Sequence, residues 1–314
     1  MTRAEAQRAL AGRLPSAAEA RWAVDHVLGP GPSTAPVDPA GWAALAALAD
    51  RRSAGEPLQY LLGTWPFRHL ELAVDARALI PRPETEQVVD VALAELRRLA
   101  ELRRSGLRRP TDRPDPADRP RSGPAELVVA DLGTGTGAIA LSVATETGAR
   151  VWATDVDPDA LDLAAANLAT ANLAAVDLAA TAAGRPALAG RVTLAAGSWF
   201  DALPADLRGH LDLVVSNPPY VAAGEWPDLD PEVRREPRRA LVAADGSDGT
   251  PGLADVEAVL RGAADWLARP GAVVVELAPH QARPAATLAA AAGYAEVRVE
   301  RDLAGRDRAV VGRV

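Results

Sequence analysis

From Glu126 onward the chain alternates short apolar runs with longer amphipathic ones, and this alternation constrains the fold more than any other feature. The runs "LVVADL", "RVWATD", "RVTLAAG", "LDLVVS" and "GAVVVELA" have strand length and are rich in apolar, often β-branched residues. Between them, "AIALSVATE", "DALDLAAANLATANL" and "LADVEAVLRGAADWLA" have helical length and spacing. A parallel crossover needs a dozen or more residues, which a helix supplies, so this order specifies a mostly parallel sheet with helices on both faces. The final stretch, "YAEVRVERDLAGRDRAVVGRV", reads as two strands and a turn, adding an antiparallel hairpin at the edge. The expected class is α/β and Rossmann-like, with seven strands.

Length leaves room for more: 314 residues suggest about two domains. Residues 1–55 are Ala/Leu-rich with helical spacing, interrupted by Gly and Pro, and predict a small helical domain. Residues 56–83 change to period-2 stretches such as "HLELAVD", a hairpin or connector. Residues 84–314 form the α/β domain. Its opening helix is announced by Pro83 at the first helical position and by Glu84 and Glu86 near the positive end of the helix dipole. Within it, the Pro- and charge-rich segment 104–126 lacks apolar periodicity and reads as a disordered insertion.

Bulk properties exclude several classes. A net charge of -8 argues against a surface built for phosphate backbones, so no stable nucleic-acid binding is expected. Zero cysteines remove disulfides, thiolate metal sites and a cysteine nucleophile. The histidines at 26, 69, 210 and 280 show no metal-ligand spacing, and no metal is expected. The start carries no apolar leader and nothing approaches 18 unbroken apolar residues; the expectation is a cytoplasmic protein without membrane contact.

"DLGTGTG", Asp131 to Gly137, follows the first strand and opens a helix. Glycines there permit a sharp turn and close backbone approach to a ligand, and the helix start offers unpaired N–H groups. Gly133, Thr134, Gly135, Thr136 and Gly137 are therefore candidate cofactor contacts. By itself the loop also fits a dinucleotide fingerprint. Asp155 ends the second strand, where an acid accepts hydrogen bonds from ribose hydroxyls, and Asp157 is a neighbouring rival. Trp199, after the third strand, is placed to cover an adenine face.

The fourth strand ends in "SNPPYV". In an open parallel sheet it lies beside the first strand, so Asn217, Pro218, Pro219 and Tyr220 face the same crevice as the glycine loop. The two prolines fix the loop before any ligand arrives. The Asn217 carboxamide oxygen and the main-chain carbonyl beside it form a pair of acceptors for one planar NH₂ group. An amide or aromatic amine is a poor nucleophile, and two fixed acceptors hold it toward an electrophilic methyl while the Tyr220 ring stacks on the flat group. Asn217, Pro218 and Tyr220 are the candidate catalytic residues.

Together "GEPLQYLLG", "IPRPETE", "DLGTGTGAIAL", "SNPPYV", "EVRREPRRALVAADG" and "RDLAGRDRAVVGR" make the chain resemble the HemK/PrmC family of peptide chain release factor N5-glutamine methyltransferases. The resemblance implies a class I S-adenosyl-L-methionine-dependent methyltransferase fold and S-adenosyl-L-methionine as donor. It implies, as protein partner and substrate, the glutamine of the Gly-Gly-Gln motif of class-1 release factors, docked by the helical N-terminal region. It also implies Gly133 to Gly137, Asp155, Trp199 and Asn217 as cofactor contacts, with Asn217, Pro218, Pro219 and Tyr220 as the substrate loop. Ser198 stands where relatives often carry an acid. "NPPY" is shared with amine methyltransferases, so an adenine-N6 methyltransferase acting on DNA or RNA is the alternative. A binding module that holds a nucleoside or a translation factor without turnover is a third reading.

Overall fold

The structure, a computed structural model, describes residues 1–105, 126–179, 188 and 190–314. Apart from its ends, the insertion expected at 104–126 lies outside the described residues.

The first four helices are α1 (Arg3–Ala11), α2 (Ala17–Leu28), α3 (Pro39–Ser53) and α4 (Leu58–Leu62). Their starts are written locally. Thr2 and Glu5 form a capping box, Ser16 caps α2, and Asp38 caps α3 ahead of Pro39. They bury Leu10, Val24, Leu45, Leu48 and Leu58 against one another in a core of their own. Arg52 of α3 ties this core outward: it pairs with Glu19 of α2 at 2.8 Å and with Glu232 at 2.6 Å.

Strands β1 (Thr64–Phe67) and β2 (Leu70–Ala73) pair as the expected antiparallel hairpin. A connector leads to α5 (Pro83–Arg104), which begins at Pro83 with Glu84 and Glu86 in its first turn. The α/β region then runs β3 (Val128–Leu132), α6 (Ala138–Glu146), β4 (Arg150–Asp155), α7 (Pro158–Ala179), β5 (Val192–Ala196) and β6 (Leu211–Ser216). It continues through β7 (Val221–Ala222), β8 (Val242–Ala243), α8 (Ala254–Trp266), β9 (Leu267–Glu276), α9 (Ala282–Ala291), β10 (Glu296–Arg301) and β11 (Asp307–Arg313).

Seven strands form one sheet in the order β10-β11-β9-β6-β3-β4-β5. The five from β9 to β5 are parallel, and β11 runs antiparallel to both β9 and β10. The pleat divides the central strands between two cores. Leu213 and Val215 of β6 face Val88, Val89, Ile139 and Leu141 of α5 and α6, whereas Val214 faces Val256, Leu260 and Ala285 of α8 and α9. Both faces being covered explains why β6 is apolar almost throughout rather than alternating. No helix among the described residues is long and apolar enough to cross a membrane.

Two features escape the sequence patterns. The helix α9 is short and mostly alanine, with Pro284 in its first turn, so it lacks the large apolar residues and the length that mark a helix in the sequence. Strands β7 and β8 are two residues each, too short for any periodicity, yet Val221 pairs with Val242 just after the two prolines.

Candidate active site

The order of the sheet reverses between β3 and β6, because the chain runs outward from β3 to β5 and then returns to the other side. At such a reversal the loops leaving the two strands diverge and open a crevice at their carboxyl ends. A cavity of about 290 Å³ occupies it. Its walls come from the glycine loop, Asp155, the Gly197–Trp199 turn, Asn217 with Pro219, the Ala78–Arg82 connector and Arg239.

The glycine loop is held from below and behind. Gly133 and Thr134 both donate their N–H groups to the Thr154 carbonyl, at 2.9 and 2.8 Å. Asp131 Oδ2 accepts from Thr134 Oγ1 at 2.6 Å and from the Ala140 N–H at 3.0 Å, while its Oδ1 is buried without a partner. Burial pushes the Asp131 carboxyl up to about 7. Gly133 has φ +72, the left-handed conformation that favours glycine, and the Trp199 ring lies against it at ordinary contact distance. Trp199 itself sits at φ +45, in the left-handed region that costs a non-glycine residue on the order of 1–3 kcal/mol. Gly133, Thr134, Gly135 and Thr136 line the cavity, and Gly137 lies just behind them as the residue that opens α6.

Asp155 adjoins the glycine loop in the same wall. Its Oδ2 accepts the Gly135 N–H at 2.9 Å and its Oδ1 the Asp157 N–H at 3.0 Å. Burial raises its carboxyl, and the backbone donors from Gly135 and Val156 oppose that rise. Each oxygen keeps acceptor capacity for a ligand hydroxyl. The neighbouring candidate, Asp157, is committed elsewhere: it accepts the Asp159 N–H at 3.0 Å and pairs with Arg239.

Strands β6 and β9 run parallel with Ser216 beside Val275, so Asn217 and Glu276 lie next to each other at the carboxyl end of the sheet. Asn217 Nδ2 donates to Thr85 Oγ1 at 3.1 Å, and Thr85 Oγ1 donates to Glu276 Oε2 at 2.8 Å. The Asn217 Oδ1 is buried and accepts no hydrogen bond. Burial pushes Glu276 up to about 7; the hydrogen bond from Thr85 and the charge of Arg308 pull it down, and Glu84 pushes it up.

Of the Asn-Pro-Pro-Tyr loop, Asn217 and Pro219 line the cavity. Pro218 is buried behind them. Tyr220 packs beside the α8 and α9 core, its hydroxyl 3.4 Å from Glu276 Oε1 and its carbonyl accepting from Gln281 Nε2 at 3.0 Å. Burial pushes its phenol up.

The sequence patterns assigned no chemistry to Thr85, Glu276 or the connector wall. The connector is pinned by Glu236, 4% exposed, which accepts the Ile80 N–H at 2.9 Å and pairs with Arg82. The motifs "IPRPETE" and "EVRREPRRALVAADG" carry these residues, and their joint presence was the available signal.

Residues 2–63 match the family described as PrmC N-terminal domain, and residues 129–209 match the one described as methyltransferase domain. The release factor glutamine methyltransferase of Bordetella pertussis is 38% identical over 92% of this chain and 92% of its own length. That of Deinococcus radiodurans is 36% identical over 100% of this chain and 96% of its own. Among solved structures, the hMettl16 catalytic domain in complex with a 3'UTR hairpin superposes with a TM-score of 0.51 at 16% identity, over 86% of this chain and 80% of that one. At that identity the likeness is one of fold.

Proposed function

The chain belongs to the release factor glutamine methyltransferase family, and on that footing we propose that the cavity beside the glycine loop takes S-adenosyl-L-methionine and that Asn217 presents the acceptor amide to it. The reaction is methylation of a release factor glutamine; the side-chain nitrogen of the Gly-Gly-Gln motif in class-1 factors is the acceptor this reading assigns.

One observation carries the assignment: a carboxamide oxygen, that of Asn217, is buried without a partner beside the cavity that the glycine loop and Asp155 enclose. A buried acceptor left unpaired costs about 1–3 kcal/mol, and an incoming N–H removes that cost. The remaining walls suit the donor. Asp155 has acceptor capacity for a ribose diol, and the Trp199 indole beside Gly133 offers an apolar face for an adenine. S-adenosyl-L-methionine supplies a methyl group activated by a sulfonium.

The protein's own part is to place and polarise a poor nucleophile. Asn217 Oδ1 and the adjoining main-chain carbonyl accept the two N–H groups of the glutamine amide, which fixes the plane of the nitrogen and favours its pyramidal form. No general base is needed before transfer, because the nitrogen becomes acidic only when it carries the methyl. The prolines keep the acceptors in place without a closing motion.

Intact-protein mass spectrometry of a purified release factor incubated with the enzyme and donor tests this. A gain of one methyl on the factor, mapped to the glutamine, is the expected result. Donor bound in calorimetry with no methyl gained by the factor sinks it, and labelled methyl in RNA or DNA instead favours the adenine reading.

A further inference from the structure

We propose that Thr85 and Glu276 are positioning residues that hold the Asn217 carboxamide with its oxygen, rather than its NH₂, toward the incoming amide. The inference rests on the reading of Asn217 given above.

A carboxamide has two ends of nearly equal size, so packing alone does not choose between them. Only the oxygen end accepts a substrate N–H; the NH₂ end would meet it donor to donor. The choice is made by a hydroxyl with a single hydrogen. Thr85 is 4% exposed and Glu276 0%, so neither has water in easy reach. A carboxylate is an acceptor only, so the Thr85 hydrogen is committed to Glu276 Oε2, 2.8 Å away. The Thr85 oxygen then has only lone pairs to offer Asn217, and the NH₂ end must turn to it, at 3.1 Å. The oxygen end is left facing away from Thr85, buried and unpaired.

The three residues come from three elements: the loop after β6, the first turn of α5 and the end of β9. A buried carboxylate is costly to keep unless it is hydrogen-bonded. Here it receives the Thr85 hydroxyl on one oxygen and faces the Tyr220 hydroxyl, 3.4 Å away, with the other. That also gives Tyr220 a part in the relay, since it restrains the carboxylate from turning away from Thr85.

The test is steady-state methylation of a purified release factor by wild type, N217A, T85V, T85S and E276Q at pH 8, with donor affinity measured by calorimetry. T85V keeps the shape and removes the hydroxyl. It should lose about 10- to 100-fold in kcat, as a misplaced reacting group does, with the factor's KM and the donor's Kd within about threefold. T85S should recover most of the loss, because it restores the single hydrogen. E276Q offers Thr85 an NH₂ as well as an oxygen, so the Thr85 hydrogen is no longer committed and kcat should fall toward that of T85V; full kcat in E276Q takes Glu276 out of the proposal. Should T85V melt below the assay temperature, Thr85→Ala takes its place under the same split. Unchanged kcat in the variant without the hydroxyl overturns the proposal, as does equal loss in T85S at an unchanged melting temperature. An N217A enzyme with full turnover overturns instead the reading on which the proposal rests.

Discussion

Asp155 Oδ2 accepts the Gly135 N–H at 2.9 Å, so the acid at the end of β4 and the glycine loop after β3 form one rigid wall of the cavity. On the proposed reading the same carboxylate holds the loop and receives a ribose. Asp155→Ala removes both and should weaken donor binding by about 1.5–3 kcal/mol, roughly 10- to 150-fold in Kd. Asp155→Asn retains an acceptor for Gly135 and should fall between wild type and alanine. Calorimetric titration decides; an unchanged Kd in the alanine variant removes Asp155 from the donor site.

On the proposed reading Asn217 touches the reacting amide and not the bulk of the donor, so its loss should separate turnover from binding. Asn217→Ala should lower kcat by roughly 100- to 1,000-fold, the scale seen when one fixed hydrogen-bonding group is removed from a transition state. Donor Kd should change by less than about fivefold, since the glycine loop, Asp155 and Trp199 remain. Equal losses in kcat and donor affinity would make Asn217 a binding residue.

Glu95 concerns stability alone. Its carboxylate, 1% exposed, pairs with Arg98 at 2.8 Å, with Arg298 at 2.8 Å and with Arg313 at 2.7 Å, joining α5 to the terminal hairpin. Burial works to raise this carboxyl, but the hydrogen bonds from Arg313, Arg98 and Arg298 win and hold it at about 2. A folded-state value below the ordinary 4.5 means stabilisation that is complete above 4.5 and lost as pH falls toward 2. Glu95→Gln should therefore cost about 3 kcal/mol at pH 7, near the low end for a broken buried pair because the arginines are partly exposed. The gap between variant and wild type should close between pH 4.5 and 2. Urea titrations at several pH values measure it, and a gap independent of pH would point to packing instead.

Much of this architecture was legible because its signals are local. Strand and helix periods gave the layers, Pro83 with Glu84 and Glu86 gave the start of α5, and the glycine loop and the Asn-Pro-Pro-Tyr segment marked the two sides of the crevice. The Thr85, Asn217 and Glu276 relay was not legible, because its bonds span 132 and 191 residues and exist only once the sheet order brings β6 beside β9 and α5 over their ends. A threonine in a first helical turn and a glutamate closing a buried strand have no period or spacing that marks them. Tyr220 illustrates a related limit. Its place in the segment suggested a ring facing the cavity, but with β7 pairing to β8 immediately after it, the ring packs beside the α8 and α9 core.

The relay also makes a statement about pH, in which activity and stability move in opposite directions. Burial holds Glu276 up to about 7, against the pull of Thr85, Arg308 and Tyr220 and with the push of Glu84. Above that value the carboxylate accepts the Thr85 hydrogen and the Asn217 oxygen faces the substrate. Below it a carboxylic acid can donate to Thr85 instead, which frees the Thr85 hydrogen to bond the Asn217 oxygen and lets the amide turn over. We expect kcat to fall as pH drops through about 7. Stability runs the other way: a carboxyl whose folded value lies above the ordinary 4.5 contributes stability that is fully present below 4.5 and lost as pH rises toward 7. Asp131, also pushed up to about 7 by burial, adds a second loss over nearly the same range. Because both acids titrate together, wild type alone cannot assign the kinetic limb, and Glu276→Gln can. That variant has no proton to gain and, like the protonated acid, can donate to Thr85, so its kcat should be lowered and nearly flat between pH 6 and 8, on the order of twofold, where wild type changes about tenfold. A limb that survives unchanged in Glu276→Gln would move the titration to Asp131 and the glycine loop, and would leave the relay without its switch.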